Sequence, residues 1–251
     1  MTTTTRGRVR VETSAKRVRV LFGGQIIADS TRPKLVWEKP YYPTYYIPAD
    51  DVRTEALVAT AESDHSPSRG DAQVHDVVVG ERRAPGAVRW YTEPRIPELT
   101  DTVRIDWAAM DAWFEEDEQV YVHPRDPYKR VDILQSSRHV RVEIDGVTVA
   151  DSTKPRLLFE TSLPTRYYVP KTDVRLDLLT PTDLVTHCPY KGSAEYYNVT
   201  TGDTTHENLV WWYRNPTRES EQIAGYVCFY NEKVDIYVDG ELQQRPRTPF
   251  G

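Results

Sequence analysis

The sequence predicts a mainly β protein made of two tandem small antiparallel β domains, each with one or two short helices. Three observations support this. First, a shift of 122 residues superimposes the two halves of the chain. Val18-Arg19-Val20 falls on Val140-Arg141-Val142, Ala28-Asp29-Ser30-Thr31 on Ala150-Asp151-Ser152-Thr153, and Asp51-Val52-Arg53 on Asp173-Val174-Arg175. The same shift holds at His65/His187, Gly70/Gly192 and Trp90-Tyr91/Trp212-Tyr213, so the chain carries an internal duplication. Second, apolar residues within each copy come in short runs broken by Gly, Pro, Asp and Asn, the pattern of strands and turns. Third, 251 residues with 39% hydrophobic content suffice for two domains that each bury a core.

The first repeat is placed at 8–122, a linker at 123–129 and the second repeat at 130–241. The linker falls on His123-Pro124-Arg125-Asp126-Pro127-Tyr128, whose prolines resist both helix and central strand. Late in the first repeat the register changes. Val120-Tyr121-Val122 matches Ile236-Tyr237-Val238 at a shift of 116, which implies six extra residues (122 − 116) in the first copy. They fall in 106–114, whose spacing predicts a short amphipathic helix. In the second repeat, 140–144 and 147–149 alternate around Asp145-Gly146, a two-residue hairpin signal. Segments 157–159 and 167–169 are short strands, and 194–199 with 208–213 flank Thr201-Gly202-Asp203 as a second hairpin. Segment 217–224 predicts a helix opening after Pro216, acidic in its first turns and ending near Gly225. Segments 226–230 and 234–238 close the copy as a last strand pair across Asn231-Glu232-Lys233.

Charge and composition exclude several functions. With 32 Lys and Arg against 38 Asp and Glu, the formal net charge of −6 argues against a broad nucleic-acid or anionic-membrane surface. No apolar run approaches the ~18 residues of a membrane span. The start, MTTTTRGRVRV, has no apolar signal-peptide region, so a cytoplasmic protein is expected, with neither nucleic acid nor membrane as partner. Two cysteines, Cys188 and Cys228, make neither a disulfide framework nor a four-thiolate zinc site. His187, Cys188, His206, Glu207 and Cys228 offer ligand chemistry without metal-ligand spacing, so no metal and no cofactor is expected.

The duplication singles out a candidate site. His187-Cys188-Pro189-Tyr190-Lys191-Gly192 aligns with His65-Ser66-Pro67-Ser68-Arg69-Gly70, so both copies keep the backbone-shaping residues and a cation, while only the second has a thiol. The thiolate is the reactive form of cysteine, and a nearby His or Lys stabilises it. Pro189 and Gly192 favour a tight turn that brings Lys191 back towards Cys188, which makes Cys188, His187 and Lys191 the candidate catalytic residues. Backbone amides in such a turn also cradle anions. The candidate ligand-binding residues are Tyr168, Tyr190, Gly192, Tyr196 and Trp211, because aromatics beside a cation hold planar or cationic ligands. Ordinary core packing of strand aromatics is the competing reading. Trp212 has a tryptophan counterpart, Trp90, and is the expected core residue; Trp211 aligns with Arg89 and is the expected ligand contact. Asp29/Asp151, Glu38/Glu160 and Asp51/Asp173 recur in both copies, and Asp-Ser-Thr shortly before proline reads first as a side-chain-capped turn.

These residues resemble a known family. Val-Arg-Val, Gly and Ala-Asp-Ser-Thr, then Tyr-Tyr-x-Pro-x-x-Asp-Val-Arg, His-Cys-Pro-Tyr-Lys-Gly, Trp-x-Tyr and Gly-Tyr-Val-x-Phe-Tyr are similar to domain of unknown function family 427, in two tandem copies covering nearly the whole chain. The resemblance implies domains of the β-tent type, whose relatives often carry zinc or bind small ligands through aromatic cages. This chain lacks the paired CxxC motifs of the zinc-bearing relatives. The family has also carried a nucleotidyltransferase-like label, but neither a Gly-rich loop nor the paired-Asp spacing of nucleotidyltransferases is present. Fold alone leaves activity open. The leading expectation is a small ligand of unidentified chemistry bound at the 187–192 turn of the second repeat, the motif being altered in the first. The alternatives are an enzyme with Cys188 as nucleophile, activated by His187 or Lys191, and a protein-interaction module using exposed aromatics and sheet edges.

Overall fold

Alternating apolar residues at Val18-Val20-Phe22 and Val140-Val142-Ile144 put one face of each strand into a core, where all six side chains are buried. In the computed structural model, which describes residues 9–248, these strands lie inside two separate units, Met1–Asp126 and Pro127–Gly251. Residue 8, the expected start of the first repeat, lies outside the described residues. The hairpins that open the two small sheets turn at Gly23-Gly24 (φ of 58° and 75°) and Asp145-Gly146 (51° and 76°). Positive φ at both central positions matches the right-handed twist of the flanking strands.

Each unit contains a four-stranded and a seven-stranded antiparallel sheet with the same topology. In the second unit the small sheet runs Val147–Ser152, Val140–Ile144, Asp235–Val238, Glu241–Leu242. Its large sheet runs Val131–Gln135, Arg156–Glu160, Arg166–Pro170, Tyr226–Phe229, Thr204–Pro216, Gly192–Thr201, Leu179–Cys188. The first unit repeats this with Gln25–Ser30, Val18–Phe22, Ala112–Glu115, Glu118–Val120, and with Arg10–Thr13, Lys34–Trp37, Thr44–Pro48, Thr102–Ile105, Arg82–Tyr91, Gly70–Val79, Leu57–Ser66. The outermost strand of each large sheet is interrupted by a bulge, between Ala59 and Ser63 and between Pro181 and Val185.

Both faces of the second unit's large sheet are buried. One cluster, around Val142, Val199, Val210, Val227 and Ile236, joins the two sheets. The other, around Leu158, Tyr168, Trp211, Tyr213 and Cys228, includes Ile223 from a 3₁₀ helix, Arg218–Ile223, that packs against Val131–Gln135 and Thr204–Pro216.

Four expectations change. The helix expected at 217–224 is this six-residue 3₁₀ helix, held by i→i+3 bonds such as Ser220 N–H to Thr217 O at 2.9 Å. It is too short to form an α-helix unaided, and burial of Ser220 and Ile223 fixes it in place. The helix expected at 106–114 is a 3₁₀ turn, Trp107–Ala109, followed by the strand Ala112–Glu115. There, Trp113 and Glu115 are buried on one face, so period 2 prevails over 3.6. Trp107 and Trp113 do meet, stacked 4.5 Å apart, because the chain folds back between them.

The six-residue insertion also disappears. Val20 pairs with Trp113 as Val142 pairs with Ile236, and Tyr46 pairs with Arg104 as Tyr168 pairs with Cys228. Trp113 therefore corresponds to Ile236 and Arg104 to Cys228, and the Val-Tyr-Val match at 120–122 was an accident of two alternating segments. Finally, Tyr226–Phe229 and Asp235–Val238 do not pair. Tyr226–Phe229 is flanked on both sides, by Arg166–Pro170 and Thr204–Pro216, and has no free edge. The turn after it, closed by Lys233 N–H to Tyr230 O at 2.8 Å, leads the chain from the large sheet to the small one. Among the described residues no helix is long and apolar enough to cross a membrane.

Candidate functional site

Strand Leu179–Cys188 ends where Cys188 pairs with Gly192, leaving Pro189, Tyr190 and Lys191 as the tip of a hairpin. Gly192 has φ of 100°, and a Cβ there would sit 3.2 Å from the Asn215 carbonyl oxygen and 3.4 Å from the Thr217 nitrogen. Gly70 repeats this with φ of 94° and the Arg95 nitrogen 2.9 Å from the same point. Both copies keep the glycine because left-handed backbone and a close neighbouring chain leave no room for a side chain. The tip is anchored from outside: the Tyr190 carbonyl accepts hydrogen bonds from Thr217 Oγ1 (2.5 Å) and Ser220 Oγ (3.2 Å), and the Lys191 carbonyl accepts from Thr217 N–H (3.1 Å).

Lys191 does turn back. Its ammonium pairs with Glu160, at the end of the strand Arg156–Glu160, and lies close enough to the Cys188 sulfur to feel its charge. The two charged side chains are only 12% and 10% exposed. Burial pushes the Lys191 pKa down, but Cys188 and Glu160 outweigh it and the net shift is upward, so the ammonium is retained at neutral pH. Cys188 is half-buried, whereas Cys228 is fully enclosed, and burial pushes the Cys228 thiol up to about 12. Cys228 is inert at neutral pH. His187 is one residue along the strand from Cys188, so its side chain takes the opposite face; it is exposed and hydrogen-bonded through Nδ1 to Ser193 Oγ at 2.9 Å.

The aromatic candidates are all buried. Tyr168, 1% exposed, accepts a hydrogen bond from Trp211 Nε1 at 3.1 Å. Trp211 packs edge-on against Tyr168 and at a 54° tilt against Tyr230, 4.6 Å between centroids, with Arg166 over its ring. Tyr196 bonds Thr186 Oγ1 at 2.8 Å, and Tyr190 is buried under the tip. Burial drives the phenol pKa values of Tyr168 and Tyr213 well upward. The expected order of the two tryptophans is reversed. Trp211 is the more buried, because the second face of the sheet is also covered, and Trp212 is the half-buried one. The Lys171 ammonium lies 2.9 Å from the centre of the Trp212 ring and donates to Tyr197 OH at 3.0 Å; the Arg214 guanidinium lies 5.0 Å from the same ring centre.

The first unit builds the equivalent place differently. Glu38, counterpart of Glu160, accepts from Tyr46 OH (2.8 Å) and Arg104 Nε (2.9 Å), with Arg69 at 3.8 Å. Arg104 and Arg89 both pair with Asp106. One unit therefore has Ser66, Arg104 and Arg89 where the other has Cys188, Cys228 and Trp211. The partnership of Glu160 with Lys191 was not read from the sequence, although Glu38/Glu160 and Arg69/Lys191 recur together at one offset. The recurring Asp51 and Asp173 are structural: each accepts a hydrogen bond from the turn serine, Ser30 at 2.7 Å or Ser152 at 2.6 Å. Among the described residues no group of three or more His, Cys, Asp or Glu is arranged to hold a metal ion.

Two units of one topology, whose regular elements among the described residues are antiparallel strands and 3₁₀ turns, define a tandem-duplicated β protein. A family model described as a domain of unknown function, DUF427, matches residues 10–116 and again 132–240. The chain belongs to that family and carries two copies of its domain. No curated protein matches the chain.

Proposed function

We propose that the second unit is a small-ligand site whose working group is the Cys188 thiol, with Lys191 as its positioning cation and Glu160 holding Lys191. The supporting observation is the buried Lys191 ammonium, ion-paired with the Glu160 carboxylate and close enough to the Cys188 sulfur for the two to interact electrostatically. In this role the Cys188 sulfur bonds to an electrophilic carbon of the ligand while the leaving group departs with the bonding pair; Lys191 balances the charge on sulfur before attack. The first unit lacks the thiol and holds an ionic network in the same place, so this chemistry belongs to the second copy. The reading suits the reducing cytoplasm, where free thiols persist.

The test is alkylation of the folded full chain with iodoacetamide, mapped by mass spectrometry. Cys188 is expected to react faster than a cysteine in an unfolded peptide, with Lys191→Arg retaining most of that rate and Cys228 labelling only on unfolding. Labelling of Cys188 that also waits for unfolding would end the proposal.

A further inference from the structure

A cleft of about 130 Å³ opens in the first unit, bordered on one side by Glu38 and Arg104 of the ionic network described above, and a hollow of the same size recurs at the equivalent place in the second. Tyr45 and Trp113 line the first, and their counterparts Tyr167 and Ile236 line the other. The shared topology therefore makes the hollow, and the residues around it are free to differ. They differ sharply. The second unit's hollow is edged by neutral side chains, among them Asn231, Gln243 and Gln244. The first unit's cleft has two aromatic stacks, Trp107 on Trp113 (4.5 Å, 6°) and Tyr42 on His123 (4.1 Å, 8°). His123 is oriented by its Nδ1–H, which donates to the Pro124 carbonyl at 2.7 Å.

The charges are also distinctive. The Arg104 guanidinium is bound to Glu38 at 2.9 Å, so that pair is locally neutral. Lys39, at the rim, is exposed and pairs with no carboxylate among the described residues. The cleft thus combines flat apolar walls with one uncompensated positive charge. Its volume is close to that of a protein cavity that takes a benzene-sized ring. The second unit folds to the same topology without these tryptophans or this lysine, so the architecture does not require them. We propose that the first unit carries a binding site for a single-ring aromatic anion, the ring lying against the tryptophan and tyrosine–histidine walls and the carboxylate facing Lys39. Attraction between ring faces and a flat ligand supplies the fit, and the rim ammonium selects the sign of charge.

The probe is benzoate, titrated into the full chain while the indole N–H resonances of the six tryptophans are followed by NMR, the Trp107 signal being assigned by its loss in Trp107→Phe. Saturable shifts of the Trp107 and Trp113 signals are expected, with no comparable response to benzylammonium. Lys39→Glu, a change at an exposed position, is expected to weaken benzoate about fivefold or more. Trp107→Phe should keep measurable binding and Trp107→Ala should lose it, with melting temperatures reported for both. An unsaturable benzoate response, equal binding of benzylammonium, or unchanged affinity in Lys39→Glu would each overturn the proposal.

Discussion

Changing Glu160 to glutamine keeps the shape of the side chain and removes the charge that faces Lys191. The ammonium then stays in a site where it is only 12% exposed, with the Cys188 sulfur as its remaining partner. Removing one member of a buried pair typically costs about 3–5 kcal/mol, against ~0–1 kcal/mol for a surface pair. The neighbouring sulfur and the neutral amide that replaces the carboxylate place Glu160→Gln near the lower end, about 3 kcal/mol. A unit of this size has on the order of 10 kcal/mol of stability in all, so the second unit should lose roughly a third. Urea unfolding followed by tryptophan fluorescence should show its midpoint falling by about 1–3 M while the first unit's transition stays in place. Because a buried pair can often be replaced by apolar residues at little cost, Glu160→Gln/Lys191→Met should recover most of the loss. The Lys191 pKa is raised in the folded state, so the stability it contributes is fully present below the ordinary lysine value and is lost as pH rises through the folded one. Lys191→Met should flatten that alkaline limb. A single-variant cost below about 1 kcal/mol, or a double variant no more stable than Glu160→Gln, would refute the view that this pair is buried and mutually dependent.

Gly192→Ala is expected to cost more than Gly146→Ala in the same unfolding assay. Both have positive φ, worth about 1–2 kcal/mol, but only the Cβ at 192 meets a neighbouring chain, whereas that at 146 points into open space. Glu232 is held down to about 2: burial pushes it up, but hydrogen bonds from Arg166 and Thr248 outweigh it. A depressed carboxylate contributes stability above its ordinary value near 4.5 and loses it as pH falls through about 2. An acid titration of Glu232→Gln should therefore lack on the order of 2 kcal/mol of that loss after allowance for solvent screening. Lys171 is brought down to about 8 by burial and by Arg214, so acetic anhydride at pH 8 should label it ahead of exposed Lys154, as read by peptide mapping.

The duplication, the strands and both hairpins were legible because each rests on local pattern: apolar alternation at 140–144, Asp-Gly at the turn, repeated spacing in the two copies. The return of Lys191 to Cys188 was legible for the same reason, since a proline and a glycine determine the turn over a few residues. Features decided by distant partners were not. Segment 112–115 becomes a strand because it pairs with Val18–Phe22, about ninety residues earlier in the chain, and nothing within the segment records that. Tyr226–Phe229 has neighbours on both sides that come from elsewhere in the chain, so its sequence neighbour is left to the other sheet. Trp211 was expected to face a ligand because it aligns with Arg89 while Trp212 has a tryptophan counterpart; the 3₁₀ helix that covers its face of the sheet is a tertiary fact. The equivalence of Arg104 and Cys228 was hidden by a false register. It emerges once each is seen opposite its copy's equivalent tyrosine, Tyr46 or Tyr168.

The bulges in the outermost strands bear on how readily such a chain pairs with its own copies during synthesis. A straight outer strand offers a row of unpaired amides and carbonyls to any passing extended segment, and a chain encoding the same domain twice produces similar segments in quick succession. At Ala59/Ser63 and Pro181/Val185 the ladder is broken at matching places, and the second edge adds Pro181, which has no amide hydrogen to offer, and the exposed charge of Asp183. An incoming strand could keep register for only a few residues before meeting the kink. Straightening either edge by deleting its bulge would leave the cores untouched and turn that margin into a template for aggregation.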